Sequence, residues 1–177
     1  MRAVVAIRVG ILTISDRASA GAYSDQSGPV LRRLVEGRLA AQVVLTSTIP
    51  DERAAISRTL AEWADSGRIN LILTTGGTGF SPRDVTPEAT RDVIDREAPG
   101  LAEAMRLASI QVTPHAMLSR AVSGIRGRTL IINLPGSPKG ARENLQVVLP
   151  ALPHGLELLD GGGTDDSHQY QLTQARA

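Results

Sequence analysis

The stretch NLILTTGGTG, residues 70–79, joins a short apolar run directly to a loop with three glycines among its last four residues. A continuous run of Leu and Ile is typical of a strand that is buried on both faces of a parallel sheet. Because glycine lacks a Cβ atom, Gly76, Gly77 and Gly79 allow a sharp turn and bring main-chain amides close to an anion. The stretch predicts a phosphate-binding loop at the end of a buried strand, with a tight turn that binds nothing as the alternative.

Further apolar runs at about residues 4–14, 42–49 and 128–134 alternate with helix-like segments. This alternation predicts an α/β fold: a single three-layer domain over residues 1–160, with a mostly parallel, doubly wound sheet flanked by helices. Residues 161–177 are polar and glycine-rich, so we expect a flexible tail there. The helical segments begin near Pro29, Glu52, Thr86, Pro99 and Ser137. The hydroxyl of Thr86 is expected to cap its helix, and the last helix is expected to run in segments towards Leu159.

Composition excludes several classes of function. The 177 residues carry a formal net charge of +1, so no bulk attraction to nucleic acid or to a membrane is expected. The chain has no cysteine, which removes disulfides and thiolate catalysis. The glycine loop has neither the dinucleotide-binding spacing nor the P-loop lysine. The short apolar N-terminus resembles a first strand rather than a signal peptide, so we expect a cytoplasmic protein.

Two aspartates follow predicted strands and are candidates for metal binding. Asp84 lies five residues after the glycine loop and just before a helix, where a carboxylate can hold Mg²⁺ against phosphate oxygens. It could equally cap that helix or pair with Arg83. Asp51 follows the second strand and is open to the same two interpretations, a helix cap or a metal or base position.

Two more loops are candidates for the walls of a cleft. Residues 133–139 lie between the last strand and the last helix, where amides and Lys139 suit an anion, although a plain turn capped by Ser137 explains them as well. The polar loop at residues 15–21 either lines a cleft or only meets solvent. The three histidines have no metal-binding spacing, and Ser119 is not in a GxSxG motif, which argues against a serine hydrolase.

Taken in order, six segments closely resemble the molybdopterin adenylyltransferase family of molybdenum cofactor synthesis, the MogA type. The resemblance extends over about residues 7–160, and several long motifs in series are more specific than one glycine loop. The segments are VGILTISDRASAGAYSDQSGP, TTGGTG, PRDVTPEAT, APGLAEAMR, MLSRAVSGIRG and LIINLPGSPKGARENL.

The resemblance implies an enzyme that transfers AMP from Mg·ATP to the terminal phosphate of molybdopterin and releases pyrophosphate. It also implies a homotrimer and a molybdate-insertion enzyme as partner. A non-catalytic, MoaB-like molybdopterin-binding protein of the same fold is the alternative. The matching residues would bind the nucleotide (Gly76, Gly77, Thr78, Gly79, Leu134, Pro135 and Gly136), the metal (Asp51 and Asp84) and molybdopterin (Ser15, Asp16, Ser119 and Arg120).

Overall fold

The computed structural model describes residues 5–161, and six strands form one mixed sheet in them. The sheet order is β2-β1-β3-β6-β5-β4, with the first four strands parallel and the last two joined to them in antiparallel pairs. The strands are β1 (Arg8–Ile14), β2 (Gln42–Ile49), β3 (Leu71–Thr75), β4 (Arg96–Glu97), β5 (Ser123–Arg126) and β6 (Thr129–Leu134).

All four predicted strands are confirmed, and they make up the parallel part of the sheet. The first begins at Arg8 rather than near residue 4, because residues 5–7 do not pair as a strand. The antiparallel strands β4 and β5 were not predicted. They are two and four residues long, too short for a recognisable apolar pattern.

Seven α-helices connect and cover the strands in the described part of the chain, and all five predicted helical segments are confirmed. The last one is divided by a 3₁₀ turn at Leu149–Ala151, as its two prolines predict. The helices are α1 (Asp16–Ser19), α2 (Ser27–Arg38), α3 (Arg53–Asp65), α4 (Thr86–Arg91), α5 (Pro99–Ile110), α6 (Pro138–Val148) and α7 (Leu152–Leu159).

The sheet is buried on both faces. In β1, Val9 and Ile11 belong to one apolar cluster, which includes residues of α2, α5, α6 and α7. Leu12 and Ile14 belong to a second cluster, which includes residues of α3 and α4. Alternate residues of a strand point to opposite faces, so this division separates the two helical layers. The predicted three-layer α/β fold is therefore confirmed.

The parallel strands β1, β2, β3 and β6 all end at one edge of the sheet. The loops that follow them contain Ser15, Asp51, Gly76 and Gly136 respectively. In an open parallel sheet this edge is the usual place for ligands. No helix in residues 5–161 is long and apolar enough to cross a membrane. The predicted tail lies outside the described residues from position 162 onward.

Candidate functional site

The glycine loop has a backbone that only glycine adopts without strain. Gly76 has φ +107° and Gly77 has φ +64°, both in the left-handed half of conformational space. A Cβ atom at position 76 would lie 2.1 Å from the main-chain oxygen of Ile14, which no side-chain rotation can relieve. The loop thus packs its backbone directly against the end of β1, with no room for a side chain.

Thr86, at the start of α4, supports the glycine loop with two hydrogen bonds. Its buried hydroxyl donates to the carbonyl oxygen of Gly76 at 2.9 Å, and its amide donates to that of Gly77 at 3.1 Å. The Gly76 amide in turn donates to the oxygen of Leu134 at 3.2 Å. The prediction that Thr86 caps its helix was wrong, because the hydroxyl is used by the glycine loop. The residue before the helix, Val85, has no side-chain hydrogen bond to offer.

A buried polar network extends this support into the sheet. Asn133 on β6 donates from Nδ2 to the hydroxyls of Thr74 and Thr90, at 3.0 and 2.9 Å. Thr90 donates in turn to the oxygen of Thr86 at 2.9 Å. Because Asn133, Thr74 and Thr90 are all fully buried, each unmet hydrogen bond would be costly. The network fixes the position of Thr86 and, through it, of the loop.

Both predicted acids lie against glycines of the loop. A Cβ atom at Gly77 would be 3.0 Å from Oδ1 of Asp51, and one at Gly79 would be 2.9 Å from Oδ2 of Asp84. Oδ2 of Asp84 also accepts the Ser81 amide at 2.9 Å. Neither carboxylate caps the helix that follows it in the chain, since the residues before α3 and α4 make no side-chain cap. The capping interpretation was therefore wrong for both aspartates.

Asp51 is also joined to the loop that follows β1. Its Oδ2 accepts the Asp16 amide at 2.8 Å, and its own amide donates to Oδ1 of Asp16 at 3.0 Å. Arg83 donates to both carboxylate oxygens of Asp16, at 3.0 and 2.8 Å. The alternative in which Arg83 pairs with Asp84 was wrong, because Arg83 is held by Asp16.

These contacts shift the pKa values of the two carboxyls in opposite directions. Burial raises the pKa of Asp51, and the negative charges of Asp16 and Asp84 raise it further. The hydrogen bonds from Arg83 lower the pKa of Asp16. Asp51 is therefore a carboxylate whose charge the protein compensates poorly, and a cation near it would be favoured.

The glycine loop separates two cavities. The small cavity has a volume of 250 Å³, and the predicted residues in its wall are Ser15, Asp51, Gly76, Gly77, Asp84 and Gly136. The large cavity has a volume of 340 Å³, and the predicted residues in its wall are Thr78, Gly79, Ser119 and Pro135. Ten of the thirteen predicted site residues thus surround one loop, although they face two spaces.

Three predicted residues line neither cavity. Leu134 is fully buried in the sheet, where its oxygen accepts the Gly76 amide. Asp16 faces Arg83 and the Asp51 amide, as described above. The guanidinium of Arg120 donates to the oxygens of Gly79 and Asp84 and to the carboxylate of Glu88. The molybdopterin contacts expected of Asp16 and Arg120 stay predictions.

Comparison with known proteins identifies the family of the chain. Residues 10–154 match the protein family described as "Probable molybdopterin binding domain". A curated relative in Escherichia coli strain K12, named molybdopterin adenylyltransferase, is 45% identical, and the match covers 88% of this chain and 86% of the relative. The chain belongs to this molybdopterin-binding domain family. The resemblance of the six segments is thereby confirmed.

Two further proteins are similar to this chain over most of its length. Gephyrin of Dictyostelium discoideum is 47% identical over 86% of this chain, but the chain spans only 22% of gephyrin's length. The crystal structure of the molybdopterin biosynthesis enzyme MoaB from Thermus thermophilus superposes with a TM-score of 0.83. It is 54% identical, and the match covers 88% of this chain and 97% of the MoaB chain.

The site of this molybdopterin-binding domain also contains residues to which the sequence assigned no role. Asp25 accepts the Thr13 hydroxyl at 2.7 Å and the amides of Ser27 and Gly28 at 3.0 Å each, which anchors the start of α2. The Ser27 hydroxyl donates to the oxygen of Gly136 at 2.7 Å. Asp25 could have been found from its place just before a Ser-Gly-Pro helix start.

Metal binding would depend on few protein ligands. Among residues 5–161, no group of three or more His, Asp or Glu side chains is placed to hold an ion by itself. Asp51 and Asp84 both line the small cavity, next to the turned glycine backbone. One or two carboxylates completed by substrate phosphates are the usual protein contribution to a Mg²⁺ site. The donor set fits Mg²⁺ bound together with a nucleotide.

Proposed function

We propose that the protein is a molybdopterin adenylyltransferase. It transfers AMP from ATP to the terminal phosphate of molybdopterin and releases pyrophosphate. The observation that carries the proposal is the glycine loop with a carboxylate against Gly77 and another against Gly79. The E. coli relative of the same name, matched over most of both chains, supports it.

The reaction needs positioning and charge neutralisation more than a protein nucleophile. A phosphate oxygen of molybdopterin forms a bond to the α-phosphorus of ATP. The bond from that phosphorus to the oxygen that bridges it to the β-phosphate breaks, and its electron pair leaves with pyrophosphate. No proton has to be taken from a carbon or nitrogen atom. The Gly77 amide suits a triphosphate oxygen, since such an oxygen accepts hydrogen bonds. The Gly76 amide is already used by the oxygen of Leu134 and holds the turn in place.

Asp51 and Asp84 are the residues that would hold Mg²⁺ in this reaction. When bound, the ion neutralises charge on the phosphate oxygens. Asp51 is suited to the role because its carboxylate is half-buried and lies near the negative charges of Asp16 and Asp84. A cation beside it would therefore be stabilising. Its oxygen Oδ2 is engaged with the Asp16 amide, which leaves Oδ1 facing Gly77 and the cavity. The protein residues therefore orient the acids before any ligand arrives.

We assign the triphosphate to the small cavity and the pterin to the large one. This assignment places Ser15 on the triphosphate side and Thr78, Gly79 and Pro135 on the pterin side, which reverses the roles predicted for them from the sequence. The small cavity carries both acids and the left-handed glycines. The large cavity presents more apolar wall, with Val112, Leu118 and Pro135 beside Asn144 and Ser119. An apolar slot with a few polar groups suits a flat heterocycle. The two substrates would then meet at the loop between Gly77 and Thr78.

A second candidate is a MoaB-like protein that binds molybdopterin without adenylylating it. The 54% identity to the MoaB structure favours this candidate. Such a protein would use the large cavity in the same way. The two candidates differ in one measurable respect, because only the adenylyltransferase consumes ATP.

The test is pyrophosphate release from ATP by the purified chain with molybdopterin and Mg²⁺. We expect release that requires all three components, with controls that omit each one in turn. Calorimetry then measures ATP and molybdopterin separately and together. Binding of molybdopterin with no pyrophosphate release and no heat from Mg·ATP would reject the enzyme and support the MoaB-like protein.

We also propose a homotrimer that acts in the cytoplasm, where ATP is made, alongside a molybdate-insertion enzyme. The assembly has candidate contact residues, since three large apolar side chains outside the large cavity are more than 60% exposed: Phe80, Leu107 and Met117. Light scattering after size exclusion tests it against a chain mass of 18.7 kDa. A monomer at micromolar concentration would contradict the trimer.

A further inference from the structure

Arg120 lies outside both cavities, yet it is bonded to the residues that form the wall between them. Its Nε donates to the oxygen of Gly79 at 2.7 Å, and its amide donates to the oxygen of Thr78 at 2.9 Å. One terminal nitrogen of the guanidinium donates to the main-chain oxygen of Asp84, and the other donates to the side-chain carboxylate of Glu88. Every nitrogen of the guanidinium therefore has a protein acceptor.

The acceptors of Arg120 all lie within residues 78–88, at three points along one continuous stretch of chain. Gly79 ends the glycine loop, Asp84 carries the carboxylate proposed for Mg²⁺, and Glu88 belongs to α4. Between the first two lies a short segment that is largely exposed, with Phe80 at 67%. An internal turn supports this segment, since Oδ2 of Asp84 accepts the Ser81 amide. Arg120 ties both ends of the segment to the body of the domain. Inside the segment, Arg83 is held separately by Asp16.

We propose that Arg120 is a positioning residue, which sets the separation between the glycine loop and the Asp84 carboxylate; this role rests on the function proposed above. Arginine suits it because its planar fork of donors has a fixed geometry. The other half of the loop has a different support. Gly76 and Gly77 are held by Thr86 and by the oxygen of Leu134, and neither contact involves Arg120.

This division of support predicts a specific kinetic signature for Arg120→Lys. Lysine keeps the charge but offers a single nitrogen, so it cannot reach all three acceptors at once. The Asp84 side of the site should loosen while the amides at Gly76 and Gly77 stay in place. We expect kcat to fall roughly 10-fold to 100-fold and the Mg²⁺ concentration for half-maximal rate to rise, since small misplacements cost about that much. The KM for ATP should change less than about threefold.

Arg126 offers a matched control. It is also an arginine that bridges elements, with a two-nitrogen pair to Asp65 and a bond to the oxygen of Val93 at 2.9 Å. Its side chain is 28% exposed and that of Arg120 is 33% exposed. Arg126 lines neither cavity. Arg126→Lys should therefore lose a similar amount of thermal stability and leave kcat and the Mg²⁺ dependence unchanged.

Glu88→Gln provides a second, milder variant. Glutamine keeps an oxygen for Arg120 but removes the charge, while the bonds to Gly79 and Asp84 remain. We expect the same signature as Arg120→Lys at a smaller size. If Arg120→Lys does not fold, Glu88→Gln carries the test alone, and an unchanged Mg²⁺ dependence in that variant overturns the proposal.

Amide hydrogen exchange in the ligand-free protein gives a readout that does not need activity. Arg120→Lys should speed exchange of the Ser81 and Asp84 amides, which bond within the segment, whereas Arg126→Lys should not. Unchanged exchange together with an unchanged Mg²⁺ dependence overturns the positioning role. A raised KM for molybdopterin alone would assign Arg120 to substrate contact instead. Absence of adenylylation in the wild-type protein would reject the proposed function, and the exchange result would still decide the role of Arg120.

Discussion

The two cavities on either side of the glycine loop are built from different kinds of residue. The small cavity is walled by glycine backbone, hydroxyls and acids, with Asp51 and Asp84 among them. The large cavity lies between α5, α6 and the 3₁₀ turn at Pro114–Leu118, and much of its wall is apolar. The first suits phosphates and a cation, and the second suits a ring.

The glycine loop is therefore a wall shared by two cavities rather than the floor of one pocket. Gly76 and Gly77 face the small cavity, and Thr78 and Gly79 face the large one. A transfer between two phosphorylated molecules needs both reacting groups at one place. A single turn that lines one cavity with Gly77 and the other with Thr78 and Gly79 meets that need. Each of the following variants alters one side of this wall.

Gly76→Ala should have the largest effect. Its Cβ would collide with the Ile14 oxygen at 2.1 Å, and its φ of +107° is strained for alanine. We expect ATP affinity to fall roughly 100-fold and the free energy of unfolding to fall by about 1–3 kcal/mol. Titration calorimetry and urea denaturation measure the two quantities.

Gly127→Ala is the control for that variant. Gly127 also has a positive φ, +54°, but no atom lies within 4 Å of its Cβ position. It should lose about 1 kcal/mol of stability and bind ATP normally. If Gly76→Ala and Gly127→Ala had equal effects on ATP affinity, the glycine loop would not be the nucleotide site.

Asp84→Asn should have the next largest effect, on the small cavity alone. The amide keeps an oxygen for the Ser81 amide but loses the charge that would hold Mg²⁺. We expect kcat to fall on the order of 100-fold, with molybdopterin affinity unchanged. Steady-state kinetics at several Mg²⁺ concentrations measures it. Asp92→Asn, which removes a remote pair with Arg53, is the control, and a full rate for Asp84→Asn would refute the metal role.

Val112→Asp should affect only the large cavity. Val112 is 69% exposed and forms part of the apolar wall. A carboxylate there should raise the KM for molybdopterin roughly tenfold and leave ATP affinity unchanged. Val147→Asp, on α6 and outside both cavities, is the control. A raised KM for ATP instead would reverse the assignment of the two substrates to the two cavities.

Asp51→Asn should change the free energy of unfolding least, and it should raise that free energy rather than lower it. The pKa of Asp51 is raised in the folded protein, so its ionised form destabilises the native state at neutral pH. The amide keeps an oxygen for the Asp16 amide. We expect the variant to be slightly more stable than the wild type near pH 7. The gain should shrink as the pH falls through the raised pKa, where the wild-type carboxyl takes up its proton.

Urea denaturation at several pH values measures this difference. Asp65→Asn is the control, because Arg126 lowers the pKa of Asp65 and its removal should cost stability at neutral pH. If Asp51→Asn lost as much stability at pH 7 as Asp65→Asn, the folded protein would stabilise the Asp51 carboxylate. That result would contradict the raised pKa of Asp51.

The parallel strands and the loop were readable from the sequence because their signals are local. Three features follow one another in the sequence: the apolar run at 71–75, the glycines and the acid at 84. Each can be recognised from a few neighbouring residues. The strands β4 and β5 were missed because two or four residues cannot display a period. Thr86 was misassigned for a different reason. A threonine before Pro and Glu has the pattern of a cap, but its hydroxyl is taken by a glycine ten residues earlier.

The order of the parallel strands and of the longer helices, the three-layer architecture and the family followed from the sequence, because apolar periodicity and motif order are properties of the chain alone. Tertiary structure decided how the site is divided. Contacts across 35 residues join Asp51 to Asp16, and contacts across 41 residues join Arg120 to Gly79. Which side of the loop each residue faces depends on how β1, β3 and β6 lie next to one another. No local pattern records that, since each hydrogen bond forms between segments that only the folded sheet brings together.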